Sequence, residues 1–93
     1  MDVTDQAEGA ESWTVYILLC ADDTLYTGIT KDVHRRLQQH NAATASKYTR
    51  VRLPVTLVYS EHALAHGDAL RRELAIKKLS RSEKDKLIQE STP

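Results

Sequence analysis

The sequence predicts a small α+β protein whose elements follow the order β-β-α-β-α-α. Three observations carry that expectation. Two runs rich in β-branched and aromatic residues, Trp13 to Leu19 and Thr24 to Gly28, flank the turn-like Ala21-Asp22-Asp23. A third such run, Pro54 to Tyr59, lies beyond a helix-like stretch and a polar one. After it come two helix-start signals, Asp68 and the Ser80-Arg81-Ser82-Glu83 capping box.

Each element has its own local reason. Aspartate tolerates turn conformations, so Ala21-Asp22-Asp23 suits a hairpin. Gly28 is expected to end the second strand where the chain bends toward the first helix. That helix runs from Asp32 to His40, with a carboxylate in its first turn and Val33 and Leu37 toward the core. Residues 41–53 read as a polar loop holding Lys47-Tyr48-Thr49-Arg50. Pro54 is acceptable as the first residue of the third strand. The next helix opens near Gly67-Asp68, capped by Asp68, with Leu70, Leu74 and Leu79 as its apolar side. The last helix extends from the capping box to about Gln89.

Ninety-three residues suffice for one modest core, and with no phenylalanine that core must come from Val, Leu, Ile, Ala and tyrosines. No apolar run approaches the roughly 18 residues of a membrane span, and the acidic N-terminus carries no secretory or transit pattern. A lone Cys20 fits a reducing, cytoplasmic setting and a place in the core. Residues 1–11 are acidic and aperiodic, as in a disordered tail. Net charge is zero, but four acids fall within those residues. Residues 12–93 then hold thirteen Lys and Arg against nine Asp and Glu. The bases gather at Lys31/Arg35/Arg36, Lys47/Arg50/Arg52 and Arg71/Arg72/Lys77/Lys78, patches able to neutralise phosphates or simply to face solvent.

Chemistry-bearing residues recur in a telling order. Tyr16 and Tyr26 stand in neighbouring predicted strands, and Arg36 and His40 lie four apart on one helix face. Glu73 follows on the next helix. A guanidinium suits the charge developing on a phosphate, and one carboxylate with water and substrate oxygens suffices for magnesium. Val15-Tyr16-Ile17, Tyr26-Thr27-Gly28, the Arg36 helix and Glu73 together resemble a GIY-YIG nuclease domain, over nearly everything from Trp13 to about Leu87. Leu25-Tyr26-Thr27-Gly28-Ile29-Thr30, His40-Asn41, Lys47-Tyr48-Thr49-Arg50 and Ile76-Lys77-Lys78-Leu79 further resemble its small, stand-alone bacterial branch. Some members of that branch are similar to single-strand-specific endonucleases.

The resemblance implies a three-stranded antiparallel sheet flanked by helices, with the site on one face and a single nuclease domain over residues 12–90. By carry-over Tyr16 and Tyr26 flank the attacking water, Arg36 stabilises the scissile phosphate and His40 stands beside them. Glu73 holds Mg²⁺ or Mn²⁺. A phenol of pKa about 10 needs a nearby cation to act as base; equally, the metal could activate the water, with the tyrosines orienting it. The family tripeptides are altered to Thr14-Val15-Tyr16 and Tyr26-Thr27-Gly28, and Ile29 stands where some relatives place a lysine. Asn41 is the only asparagine, so a late asparagine of several relatives has no counterpart.

The expected function is metal-dependent DNA endonuclease, acting by water attack on single-stranded or structured DNA, as a monomer and without a membrane. Lys31, Arg35, Lys47, Tyr48, Arg50 and Arg72 are the candidate nucleic-acid contacts, with Tyr48 able to stack on an unpaired base. The alternative is a non-catalytic nucleic-acid-binding module with the same fold, and RNA stays open as substrate. His62 and His66, at helical spacing beside Glu61, fall short of a zinc site.

Overall fold

The computed structural model describes residues 12–91, so the acidic stretch 1–11 lies outside the described residues. Strands β1 (Trp13–Leu19), β2 (Leu25–Thr30) and β3 (Thr56–Ala63) form one antiparallel sheet in the order β2-β1-β3. Helices α1 (Val33–Asn41), α2 (Lys47–Arg50), α3 (His66–Lys77) and α4 (Arg81–Glu90) flank it. This is the α+β fold class that the sequence predicts.

Alternation along the central strand divides the molecule. Val15 and Ile17 join Ala69 and Ile76 of α3 in one buried cluster, with Leu87 and Ile88 of α4 packed against it. Tyr16, Leu18 and Cys20 join Val55 in the other, covered by Val33 and Leu37 of α1. The sheet therefore has a mainly apolar face, with Tyr59 packed against it, and a face that carries Tyr16 and Tyr26. In the β1–β3 pairing the register shifts between Ile17 and Leu18, opposite Tyr59 and Leu57. The extra residue in β3 marks a bulge.

Several boundaries differ from expectation. β2 does not stop at Gly28 but runs on to Thr30, and neither described glycine, Gly28 nor Gly67, has positive φ. The 41–53 region contains α2, capped by Ser46, whose hydroxyl accepts the Thr49 N–H at 3.1 Å. Four residues are too few for a helical period to be visible in the sequence. Pro54 precedes the third strand rather than opening it, because Asn41 has taken the next backbone unit. Its Oδ1 accepts the Val55 N–H at 2.8 Å and its Nδ2 donates to the Val55 carbonyl at 3.1 Å. The strand then continues past Tyr59 to Ala63.

Asp68 is not the cap of α3; Ala65 is, and the Asp68 carboxylate pairs with Arg71 in the first turn. Leu70 and Leu74 face solvent, while Ala69 and Ile76 are buried, with Glu73 half-buried between them. The buried side of α3 is thus carried by Ala69 and Ile76, not by the leucines that suggested it. His62 is in β3 and His66 in α3, so helical spacing does not apply to the pair. His66 stacks on Trp13 at 4.4 Å instead. The Ser80–Glu83 capping box opens α4 as predicted, whereas Asp32 lies one residue before α1 as its cap, accepting the Arg35 N–H, rather than in the first turn.

Candidate active site

Antiparallel register builds the site. Tyr16 stands opposite Gly28 and Leu18 opposite Tyr26, which places both phenol rings on the α1 face of the sheet. The Tyr16 ring lies directly over Gly28. A Cβ there would sit 2.6 Å from the Tyr16 hydroxyl oxygen and 2.8 Å from Cζ. Gly28 is needed for room, not for backbone freedom. The two phenol rings are 6.4 Å apart, and the His40 ring meets each edge-on at 5.8 and 5.2 Å.

A buried hydrogen-bonded chain runs through His40. Its Nε2 lies 2.8 Å from the Tyr16 hydroxyl, and its Nδ1 lies 2.8 Å from the Thr49 hydroxyl. The Thr49 hydroxyl is in turn 3.0 Å from that of Ser46. His40 is 1% exposed and Thr49 0%. Burial pushes the imidazole pKa down, and the positive charge of Arg36 adds to the effect. His40 is therefore a neutral ring at neutral pH, with one nitrogen donating and the other accepting. The Tyr16 phenol is pushed well above its ordinary range. Burial is the main cause, Tyr26 and Glu73 act in the same direction, and Arg36 opposes them.

Arg36 is half-buried on α1, one turn before His40. Among the described residues its guanidinium makes no hydrogen bond or ion pair. Glu73 sits within electrostatic reach of Tyr16, its side chain 16% exposed, with Lys77 Nζ at 3.3 Å. The expected set Tyr16, Tyr26, Arg36, His40 and Glu73 thus gathers around one hydroxyl. The Glu73 carboxylate fits a hard divalent cation that keeps water and phosphate oxygens as its other ligands, and the unpaired guanidinium suits the phosphate itself. A zinc-type cage does not fit, since no three His, Cys, Asp or Glu side chains converge among the described residues.

The candidate nucleic-acid contacts lie in three places. Lys31 and Arg35 line a cleft beside Arg36. Lys47 and Arg50, on α2, line a second concavity with Ser46. Tyr48 stacks with Tyr26 at 6.1 Å and carries Arg52 over its ring at 3.8 Å, so a base stacking there has to displace a neighbour. Arg72 stands apart: its Nε donates to Glu61 at 2.7 Å, and Glu61 also accepts from the Tyr59 hydroxyl. Sequence reasoning missed Thr49 and Ser46 as partners of His40. Ser46 three residues before Thr49, in Ser46-Lys47-Tyr48-Thr49, was the available signal, since serine there is an N-cap residue.

Comparison with known proteins shows the family of the domain. The GIY-YIG catalytic domain matches residues 12–86. A UPF0213 protein of Natronomonas pharaonis is 49% identical over 78 residues, covering 84% of this chain and 92% of that protein. A UPF0213 protein of Staphylococcus aureus is 48% identical over 80 residues, covering 86% of this chain and 98% of that one. The solution structure of a UPF0213 protein from Bacillus halodurans superposes with a TM-score of 0.57 at 40% identity, over 86% of this chain and 85% of its own. The chain belongs to the GIY-YIG nuclease domain family. Its UPF0213 relatives occur in archaea as well as bacteria, so the branch is wider than the bacterial one its motifs suggested.

Proposed function

We propose that the protein is a metal-dependent DNA endonuclease that hydrolyses one phosphodiester by water attack, on single-stranded or structured DNA, in the cytoplasm and as a monomer. The observation that carries this is the buried Tyr16–His40–Thr49 chain beside an unpaired Arg36. A binding module has no need to bury a neutral imidazole between two hydroxyls, and that arrangement suits proton transfer.

The residues take these parts. Tyr16 and Tyr26 orient the attacking water. Tyr16, held neutral by burial, is a poor base by itself. It takes the proton of the water as its own passes to His40 Nε2, while Thr49 accepts from Nδ1–H and fixes the tautomer. Arg36 meets the charge that grows on the phosphate oxygens as the bond to the leaving oxygen breaks. Glu73 would hold Mg²⁺ or Mn²⁺, leaving its pairing with Lys77. When bound, the metal supplies charge neutralisation at the scissile phosphate. Lys31, Arg35, Lys47 and Arg50 position the strand, and Tyr48 backs Tyr26. Arg72, already paired with Glu61, is the weakest member of that set.

The test is cleavage of labelled single-stranded, duplex and flap DNA with Mg²⁺ or Mn²⁺, beside Glu73→Ala and Arg36→Ala. The expected result is metal-dependent cutting lost in both variants. Salt-sensitive binding of every substrate with no cutting would replace this reading by that of a binding module.

A further inference from the structure

The basic residues fall into two groups. Arg52, Arg71, Arg72, Lys77 and Arg81 are each paired with a carboxylate. Lys31, Arg35 and Arg36 are not, among the described residues, and these three line one cleft of about 390 Å³. Its walls are Trp13, Ile29 and Lys31 at one end of the β1–β2 pair, and Arg35, Arg36 and Gln39 along α1. The acid at its rim, Asp32, is engaged as the α1 cap on the Arg35 N–H at 3.1 Å. Trp13 is half-buried, rests on His66 at 4.4 Å and has the Lys31 ammonium 5.4 Å from its ring centre. An indole stacked on His66 and covered by Lys31 becomes a surface for a planar group once the ammonium turns to a phosphate.

Arg36 belongs both to this cleft and to the cluster around Tyr16. A strand whose scissile phosphate lies on Arg36 therefore enters or leaves through the cleft. We infer that the cleft is the subsite for the unpaired nucleotide next to the scissile phosphate, with that nucleotide's own phosphate on Lys31 and Arg35 and its base against Trp13. The inference rests on the nuclease reading above and adds to it a strand path and a preference. An aromatic wall offers stacking only to a base free of its own duplex neighbours. The subsite thus favours single-stranded or splayed DNA over continuous duplex.

Trp13 is the only tryptophan in the chain, so its emission reports on this cleft alone. In metal-free buffer, a short thymidine oligonucleotide is titrated into the protein while Trp13 emission is read. The same oligonucleotide with a fluorescein label gives binding independently by anisotropy. Expected is a change of Trp13 emission in step with the anisotropy rise, and a smaller change with a hairpin duplex. Lys31→Ala with Arg35→Ala should weaken binding roughly tenfold and flatten the log K against log salt slope by about 1.4, the loss of two single-strand phosphate contacts. Lys86→Ala, on α4, should change neither. An anisotropy rise with unaltered Trp13 emission, or an equal response to the duplex, overturns the subsite and leaves the nuclease reading standing. No binding, together with no cutting of any substrate, overturns both.

Discussion

Gly28 and Tyr16 face each other so closely that one methyl group tests their apposition. In Gly28→Ala the new Cβ would fall 2.6 Å from the Tyr16 hydroxyl oxygen, and the ring must swing away from His40. Overpacking of this kind costs about 1–3 kcal/mol, readable as a lower urea midpoint, and DNA cutting should fall much further than stability. Unchanged cutting in a stable variant would separate Tyr16 from the reaction. His40 sets the pH behaviour. Its folded pKa lies below the ordinary value of about 6.5 for histidine, so between the two values the unfolded chain binds the extra proton. The stability it contributes is complete above pH about 6.5 and is lost as pH falls through the folded value. If neutral His40 takes the Tyr16 proton, kcat/KM should fall over that same acidic window. His40→Ala should remove that limb along with most of the activity; a retained acid limb would assign it to another group.

At the scale of elements, what was legible depended on how local the signal is. The capping box at Ser80 is complete within four residues and stood as read, while Asp32 was read into the first turn and proved to be the cap just before it. Pro54 and Asp68 have favourable local roles too, yet neither took the one it was read for. Asn41, at the end of α1, holds both polar atoms of the Val55 backbone and so decides where β3 can start. Asn41→Ala should therefore destabilise by about 1–3 kcal/mol, through two backbone groups left without their partner. Thermal or urea unfolding would show it. A change near zero would mean that water replaces the amide. α3 teaches a related lesson: three leucines suggested its apolar side, but docking against Val15 and Ile17 selected Ala69 and Ile76. Small Ala69 lets the helix approach the sheet, and the same rotation brings Glu73 inward.

Across the whole molecule the sheet separates two tasks. One face buries Val15 and Ile17 under α3 and α4 as an apolar core, with Tyr59 packed against it and bonded to Glu61. The other, under α1, carries the phenols, the imidazole and the hydroxyls of the candidate site, at the cost of burying polar groups that must pair with one another. Charge divides as well. Bases along α3 and at the turn ends are locked in ion pairs, while those around α1 and α2 stand unpaired beside the site. The charge runs in the sequence look alike; only their surroundings distinguish a structural pair from a phosphate contact.

The sequence by itself determined the three strands, the helices α1, α3 and α4, the capping box of α4, and the shared helix face of Arg36 and His40. Each follows from local propensity, or from a spacing that one helix turn or one strand alternation expresses. Only the tertiary structure decided that Gly28 makes room for Tyr16, that Thr49 holds His40, and that Arg72 belongs to Glu61 rather than to the open basic surface. Those outcomes depend on cross-strand register and helix docking, which join residues far apart in the chain, and no local propensity encodes such a pairing.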